Sequence, residues 1–169
     1  MTKVELIAAV ANDANLTKKD AEAAVNSALN AITAALKDGD KVTLVGFGTF
    51  MLGGEPCINA VSTAIQSGYR LIDTAEAYGN EKEVGEGIKQ SGIDRGALFL
   101  VTKVNFKSYD NTRQTVENSL RLLKTDYLDL VLLHWPFADY YTAWRELETL
   151  HAESKIRSIG VSNFEPDRL

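Results

Sequence analysis

Cysteine, long apolar runs and signal-like segments are all scarce in this sequence. Cys57 is the single cysteine among 169 residues, which excludes an intrachain disulfide and a zinc site built from cysteines. No apolar run approaches the ~20 residues that a membrane-spanning helix requires. The first residues, Met1-Thr2-Lys3-Val4-Glu5, place an acid where a signal peptide carries basic and apolar residues. We therefore expect a cytoplasmic protein that has no metal site and does not associate with membranes.

Basic residues are also too few to form a nucleic-acid-binding surface. The chain has 18 lysines and arginines against 23 acidic residues, which gives a net charge of −5. Residues 1–54 carry five lysines, no arginine and six acids. Because neutralising phosphates requires a concentrated basic surface, this balance disfavours DNA binding. The apolar fraction of 45% and the charged fraction of 24% are typical of a soluble globular protein.

Residues 1–41 have the pattern of a helical hairpin. Thr2 and Glu5 stand at capping-box spacing, Thr17 begins a second capped segment, and Gly39 stands where a helix ends. An apolar stripe follows each cap: Val4, Ile7, Ala8 and Ala11 in the first helix, and Ala21, Val25, Ala28, Leu29, Ile32 and Leu36 in the second. Because the stripes are rich in alanine, we expect the hairpin to need a further surface to pack against.

Residues 42–169 alternate between strand-like and helix-like segments. The predicted strands are Val42–Val45, Arg70–Ile72, Leu98–Val104, Leu128–Leu133 and Ile156–Val161. The predicted helices are Ile58–Ser67, Glu81–Gln90, Thr112–Leu123 and Tyr140–Glu153. Polar residues follow four of the strands about thirty residues apart. Apolar strands that repeat with this period predict a parallel α/β fold with right-handed helical crossovers.

Several small or polar residues refine this prediction. Asn80 and Asn111 stand where helix N-caps belong. Gly85 and Gly87 weaken a helix, and we interpret them as points of close packing on a sheet. Gly46-Phe47-Gly48 lacks the third glycine of a dinucleotide-binding loop, which disfavours a fold of that type.

Four polar side chains, Asp73, Tyr78, Lys103 and His134, belong to successive units and are called the tetrad below. Polar groups at the carboxyl ends of parallel strands meet at one rim. Reducing a carbonyl by hydride requires a proton donor at the oxygen, where negative charge develops. A tyrosine becomes a useful acid when an ammonium stabilises the phenolate, and these roles fit Tyr78 and Lys103. Asp73 would hold the ammonium in place, and a neutral His134 would orient the carbonyl.

Each member of the tetrad also has a structural interpretation, which the sequence leaves open. Asp73 could cap the loop that follows it, and Tyr78 could be an ordinary loop aromatic. Lys103 could form a structural ion pair, because a buried lysine requires a partner. His134 could be a core histidine. We interpret His151, which lies in a predicted helix, as a surface or structural residue.

Four motifs resemble those of the aldo-keto reductase family and stand in the same order. They are RLIDTAEAYGNE at 70–81, VTKV at 101–104, LHWP at 133–136 and IGVSNF at 159–164. The resemblance covers about residues 46–169. It implies NADPH-dependent reduction of an aldehyde or ketone, with Tyr78 as the acid supported by the rest of the tetrad. It also implies that Ser162 and Asn163 hold the nicotinamide carboxamide and that Trp135 lines the substrate pocket.

The resemblance also implies that part of the family's barrel is missing. The family's barrel has eight β/α units, whereas this sequence ends after the fifth predicted strand, so we expect an incomplete TIM-type barrel of about five units. The absent units would supply the aromatic surface under the nicotinamide and the loops that hold the phosphates. We therefore expect weak or absent carbonyl reduction, and self-association through open strand edges and apolar faces.

The first fifty residues resemble HU, the bacterial histone-like DNA-binding protein. The matching motifs are KVELI at 3–7, LTKKDA at 16–21 and KDGDKVTLVGFGTF at 37–50. HU's basic β-arm does not follow, so the resemblance implies dimer-forming helices without DNA binding. Residues 46–50 belong to both resemblances and no linker separates them, which indicates a chimera. Three functions remain open: a reductase, an HU-like DNA-associated dimer, or a folded chimera without evolved activity.

Overall fold

The computed structural model describes residues 2–37 and 46–168 of the chain. The chain divides into two compact units, 1–44 and 45–169. The predicted strand at 42–45 and the predicted helix end at Gly39 lie outside the described residues. Within the described residues, no helix is both long enough and apolar enough to cross a membrane.

The N-terminal unit contains the two predicted helices, α1 (Lys3–Asp13) and α2 (Lys18–Lys37). The predicted capping box begins α1: the Thr2 hydroxyl oxygen accepts from the Glu5 amide, and the Glu5 carboxylate accepts from the Thr2 amide. The Thr17 hydroxyl oxygen accepts a hydrogen bond from the amide three residues later, at 3.2 Å. Each cap satisfies amides that have no partner within the helix.

A small apolar core joins α1 to α2. Its buried members are Ile7, Ala21 and Val25, and Leu6, Val10 and Ala11 pack against them. The face of α1 is therefore rotated from the predicted one, because α2 covers the side of Leu6 and Val10 and leaves Val4 and Ala8 exposed. Leu29 is exposed on α2. The side chains of Ile32 and Leu36, which were also predicted in this stripe, lie outside the described part.

The second unit is built on a parallel sheet whose five strands lie side by side in sequence order. The strands are β1 (Phe47–Gly48), β2 (Leu71–Asp73), β3 (Phe99–Val104), β4 (Leu130–Leu133) and β5 (Ile159–Val161). The connecting helices are α3 (Gly54–Gln66), α4 (Glu81–Ser91), α5 (Thr112–Leu123) and α6 (Tyr140–Ala152). All four strand pairings are parallel. The predicted α/β fold, a partial β/α barrel with N-terminal helices, is confirmed.

Some element bounds differ from the predicted ones. Helix α3 begins at Gly54, before its predicted start at Ile58, because Pro56 fits the first turn, where an amide would have no partner. The last two strands begin later than predicted, since Leu128 and Ile156 form only an isolated bridge. The core lies between the sheet and its helices and contains the strand side chains that face them.

Two glycines allow α4 to approach its neighbouring helices closely. A Cβ atom at Gly85 would lie 2.5 Å from the Leu122 carbonyl oxygen, and one at Gly87 would lie 2.7 Å from the Ile58 carbonyl oxygen. Leu122 belongs to α5 and Ile58 to α3. The prediction that these glycines pack on a sheet is therefore wrong, because the close approach is between helices.

Asn80 and Asn111 occupy the predicted N-cap positions of α4 and α5, but in the described part of the chain their side chains do not act as caps. Within residues 46–168, neither Asn80 nor Asn111 makes a side-chain hydrogen bond to the amides of the helix that follows it. Asn80 Nδ2 instead donates to the carbonyl oxygens of Thr49 at 2.8 Å and Leu52 at 2.9 Å. Its Oδ1 accepts from the Thr74 hydroxyl at 2.8 Å. Buried carbonyls need a donor from the protein, whereas helix amides at a surface can bind water.

Candidate active site

The parallel sheet brings the tetrad to one rim. Asp73 ends β2, Lys103 is next to last in β3, and His134 follows β4 directly. Tyr78 lies at the end of a short 3₁₀ turn, Glu76–Tyr78, that follows β2. Because neighbouring parallel strands end at the same edge of the sheet, residues from separate units become neighbours there.

Lys103 is the central residue of the tetrad and is only 7% exposed. Its Nζ donates to Asp73 Oδ1 at 2.6 Å, to the Thr74 carbonyl oxygen at 2.9 Å and to the Tyr78 hydroxyl at 3.4 Å. These three acceptors match the three protons of an ammonium group. The ion pair and the two further hydrogen bonds offset the cost of burying the charge.

His134 faces Tyr78 across the rim, with ring centroids 5.9 Å apart and planes inclined by 73°. Burial, and then the positive charge of Lys103, lower the pKa of His134 below its usual value, although Asp73 and Glu76 act in the opposite direction. The ring is therefore neutral at pH 7. Its Nδ1 is buried without a hydrogen-bond partner among the described residues. Because a buried N–H without an acceptor is rarer than a buried acceptor without a donor, we assign the proton to Nε2.

Three exposed aromatic side chains, Phe50, Trp135 and Phe137, form an aromatic rim beside the tetrad. Phe50, 67% exposed, packs its edge on Tyr78 at 5.1 Å. Trp135 stacks on His134 at 6.0 Å, and Phe137 stacks on Trp135 at 5.9 Å. Trp135 is a predicted site residue that lies beside the tetrad. Phe50 and Phe137 were not predicted, and the available signal was their place shortly after the ends of β1 and β4.

Tyr109 fixes the backbone that carries Trp135. Its hydroxyl donates to the Trp135 carbonyl oxygen at 2.7 Å and accepts from the Trp135 amide at 3.3 Å. Burial raises the pKa of Tyr109 above its usual value, so the hydroxyl keeps its proton and remains a donor. This contact was not predicted, because nothing in the residue spacing links a tyrosine of the β3–α5 connection to the end of β4.

Ser162 and Asn163, the predicted cofactor residues, lie at the end of β5 next to His134. The Ser162 amide donates to the Leu133 carbonyl oxygen at 2.8 Å. Asn163 Nδ2 donates to the His134 carbonyl oxygen at 2.9 Å and to Ser162 Oγ at 3.1 Å. Asn163 has a positive φ of 61°, a conformation that asparagine tolerates better than most residues. The structure therefore places all seven predicted site residues at one end of the sheet.

Comparison with known proteins matches both parts of the chain. Residues 44–169 match the model of the aldo/keto reductase family, and residues 1–54 match the model described as bacterial DNA-binding protein. Both resemblances expected from the sequence are confirmed. The two matches overlap at 44–54, which includes β1.

Two of the relatives are reductases longer than this chain. An aldo-keto reductase of Mycobacterium sp. (strain JLS) is 44% identical over 140 residues, covering 80% of this chain and 51% of that protein. Glyoxal reductase of Bacillus subtilis (strain 168) is 45% identical over 141 residues, covering 81% of this chain and 51% of that protein. The chain thus spans about half the length of the curated relatives it matches.

A solved structure has the same fold over the same region. The crystal structure of an aldo/keto reductase from Brucella melitensis is similar with a TM-score of 0.72 at 41% identity, and the match covers 78% of this chain and 53% of that one. The family's cofactor is generally a nicotinamide nucleotide, NAD(P)H. From its motifs, its parallel sheet and these relatives, the chain belongs to the aldo/keto reductase family.

Proposed function

We propose that the second unit is built for NADPH-dependent reduction of aldehydes and ketones, and that these 169 residues catalyse it weakly or not at all. The observation that carries the proposal is the position of Lys103 Nζ, which contacts both Asp73 Oδ1 and the Tyr78 hydroxyl. A structural ion pair alone would not need the tyrosine. The shared ammonium favours Tyr78 as an acid over an ordinary loop aromatic.

The tetrad supplies the proton for this reaction. NADPH, when bound, supplies a hydride to the carbonyl carbon. As negative charge develops on the carbonyl oxygen, Tyr78 transfers its hydroxyl proton to that oxygen and becomes a phenolate. Lys103, 3.4 Å away, stabilises the phenolate, and Asp73 holds the ammonium in place from 2.6 Å. The product is an alcohol, and a solvent proton restores the tyrosine.

His134 orients the substrate in this scheme. Since the ring is neutral, with its proton assigned to Nε2, it can donate one hydrogen bond to the carbonyl oxygen without adding a second positive charge beside Lys103. The low pKa of His134, caused by burial and by Lys103, keeps the ring in this form at neutral pH.

The end of β5 fits a carboxamide group. Asn163 uses its Nδ2 for His134 and Ser162, which leaves Oδ1 to accept from a ligand N–H. Ser162 Oγ accepts from Asn163, which leaves the hydroxyl proton to donate to a ligand carbonyl. One acceptor and one donor are the complement of an amide, so Ser162 and Asn163 would hold the nicotinamide carboxamide. The family's remaining units would contact the phosphates, and we expect weak cofactor binding without them.

The aromatic rim favours carbonyl substrates with some apolar surface. Phe50, Trp135 and Phe137 present ring faces and edges next to the tyrosine. A relative is named glyoxal reductase, so a small reactive dicarbonyl is a suitable second substrate. We propose aldehydes or ketones as the substrate class.

The test is NADPH oxidation by the purified chain with glyoxal and with an aromatic aldehyde. Tyr78→Phe is the matched control, because it keeps the ring and removes only the hydroxyl. We expect slow turnover that Tyr78→Phe abolishes. A fast, tyrosine-dependent rate would contradict the proposed weakness, and turnover that survives Tyr78→Phe would contradict the assigned acid. A titration of tryptophan fluorescence with NADPH separates weak binding from weak chemistry.

We also propose that the chain is a chimera joined near residues 46–50, whose first unit favours self-association over DNA binding. The supporting observations are the match of residues 1–54 to bacterial DNA-binding proteins and the excess of acids over lysines there. Val4 and Leu29 are exposed apolar residues of the hairpin. Light scattering should show species larger than one chain, and filter binding at physiological salt should show no DNA retained. A clean monomer or salt-resistant DNA binding would contradict this.

A further inference from the structure

The turn that carries Tyr78 is fastened to the segment that follows β3. Glu76, the first residue of the turn, is half-buried. Its Oε2 accepts from the Asn105 amide at 2.8 Å, and its Oε1 accepts from the Ser108 hydroxyl at 2.5 Å. Both carboxylate oxygens of Glu76 therefore accept hydrogen bonds from residues about thirty positions further along the chain. A surface glutamate could accept from water instead, so these bonds serve to join the two segments.

This attachment bears directly on the position of the phenol. Within the turn, the Tyr78 amide donates to the Ala75 carbonyl oxygen at 3.0 Å, so the backbone of Tyr78 follows that of Glu76. The Tyr78 hydroxyl lies at 3.4 Å from Lys103 Nζ, the long end of the hydrogen-bond range. A small displacement of the turn would therefore break the contact on which proton transfer depends.

The same carboxylate also acts on His134 through its charge. The charged groups that act on this ring are Lys103 from β3, Asp73 from β2 and Glu76 from the turn after β2. Lys103 disfavours protonation of the ring, whereas both carboxylates favour it. Tyr78 and Trp135 contact the ring as aromatic neighbours.

We propose that Glu76 is a positioning residue of the tetrad, whose carboxylate fastens the Tyr78 turn to the segment after β3 and partly offsets the charge of Lys103 at His134. The role of Glu76 in catalysis rests on the proposed function. Its structural content, however, can be tested without turnover. Glu76 touches neither the reacting atoms nor the ammonium, so it would act only through Tyr78 and His134.

Three substitutions separate the two effects. Glu76→Gln removes the charge but keeps the attachment, since the amide oxygen can accept from Asn105 and the amide nitrogen can donate to Ser108 Oγ. Glu76→Ala removes both. Ser108→Ala keeps the charge and loses one of the two hydrogen bonds. Glu148→Gln is the control, because Glu148 is an exposed glutamate of α6 whose carboxylate accepts from Trp144 Nε1.

The measurements are NMR experiments on the full chain. The chain has only two histidines, so His151→Gln assigns the two imidazole signals. The first readout is the nuclear Overhauser contact between the rings of Tyr78 and His134, which is expected in the wild type from their 5.9 Å centroid separation. The second readout is the pH midpoint at which His134 takes up a proton.

We expect Glu76→Gln to keep the ring contact and to lower the His134 midpoint, because one favourable negative charge is lost. Glu76→Ala should lose the contact as well, whereas Ser108→Ala and Glu148→Gln should leave the midpoint at its wild-type value. An unchanged midpoint in Glu76→Gln, or a ring contact that survives in Glu76→Ala, overturns the proposal. If Glu76→Ala does not fold, the midpoints of Glu76→Gln and Ser108→Ala still decide. Turnover that survives Tyr78→Phe would refute the proposed function and leave these readouts intact.

Discussion

The two ends of the parallel sheet each bury a charged cluster, and they differ in how completely its polar groups are satisfied. At the amino end, Asp129 is buried and accepts from Arg95 at 2.7 Å, from the Leu100 amide at 2.9 Å and from Arg157 at 3.1 Å. The two guanidinium groups also lie over the Tyr127 ring, at 4.1 Å and 3.9 Å. Every charged group of this cluster therefore has an opposite charge, a hydrogen-bond partner or an aromatic face beside it.

The carboxyl end has the same kind of ion pair but leaves polar capacity open. Lys103 is paired with Asp73, whereas within residues 46–168 neither His134 Nδ1 nor the amide oxygen of Asn163 has a hydrogen-bond partner. The aromatic side chains there are exposed instead of covered by guanidinium groups. A fully paired cluster stabilises the fold, and an incompletely paired one can bind a ligand.

The largest effect should come from breaking the amino-end cluster. Asp129→Ala leaves two guanidinium groups and one strand amide without their shared acceptor, and Arg95 is largely buried. We expect the free energy of unfolding to fall by about 3 kcal/mol. Urea unfolding followed by circular dichroism measures this. A loss similar to that of an exposed ion pair would show that the two ends do not differ as described.

A smaller effect should follow from removing the aromatic ring between the guanidinium groups. Tyr127→Leu keeps an apolar side chain but removes both cation–π contacts. Each contact is made by an arginine that is partly exposed to solvent. We expect a loss of about 1 kcal/mol in the same unfolding experiment. Tyr69→Leu, on the segment before β2, is the control, because within the described part Tyr69 has an aromatic contact with Phe47 but no cation–π contact. Equal losses in both variants would argue against the sandwich.

The corresponding change at the carboxyl end should cost less stability. Asp73→Asn keeps the shape of the side chain and removes its charge, and the Asp73 side chain is about one third exposed at 32%. The buried Lys103 loses its counter-charge, but solvent screens the Asp73 side and the asparagine oxygen can still accept from Nζ, so we expect a loss of about 1 kcal/mol. Any residual tyrosine-dependent turnover should disappear at the same time. A stability loss equal to that of Asp129→Ala would make Asp73 mainly structural.

The smallest effect is the pH dependence that His134 contributes at the carboxyl end. Since the folded chain holds the pKa of His134 below its unfolded value of about 6.5, the unfolded chain binds more protons at mildly acid pH. The contribution of His134 to stability is therefore complete above that pH and is lost as the pH falls through the lower, folded pKa.

Urea unfolding measures this dependence between about pH 7.5 and 5, the interval in which histidine changes its charge. His134→Gln cannot protonate and should flatten the pH profile of the unfolding free energy. His151→Gln, which changes an exposed histidine of α6, should leave the profile as in the wild type. A profile that flattens in His151→Gln instead would place the titrating group elsewhere.

The sequence predicted the rim but not what surrounds it. The parallel strand order and the tetrad follow from a period of about thirty residues and from motifs at strand ends, and both are local patterns. Asn80 and Asp129 bind backbone groups that are distant in sequence and would otherwise lack a hydrogen-bond partner. Gly85 faces a distant backbone segment that leaves no room for a side chain. Such information is absent from spacing, so Asn80 was interpreted as a cap and Gly85 as a contact with the sheet.

The hydrogen bonds from Asn80 to residues 49–52 bear on which segments can precede β1. Asn80 and the pairing of β1 with β2 hold this loop from the downstream side, through contacts that lie within residues 46–80. A side chain at Gly46 would overlap the end of the Leu71 side chain, so glycine at this position lets Leu71 keep its place. An upstream sequence that ends in a glycine followed by an extended aromatic residue could enter the sheet through the same contacts. Because these contacts lie downstream of residue 45, they hold Phe50 beside Tyr78 without using side chains of the leading segment.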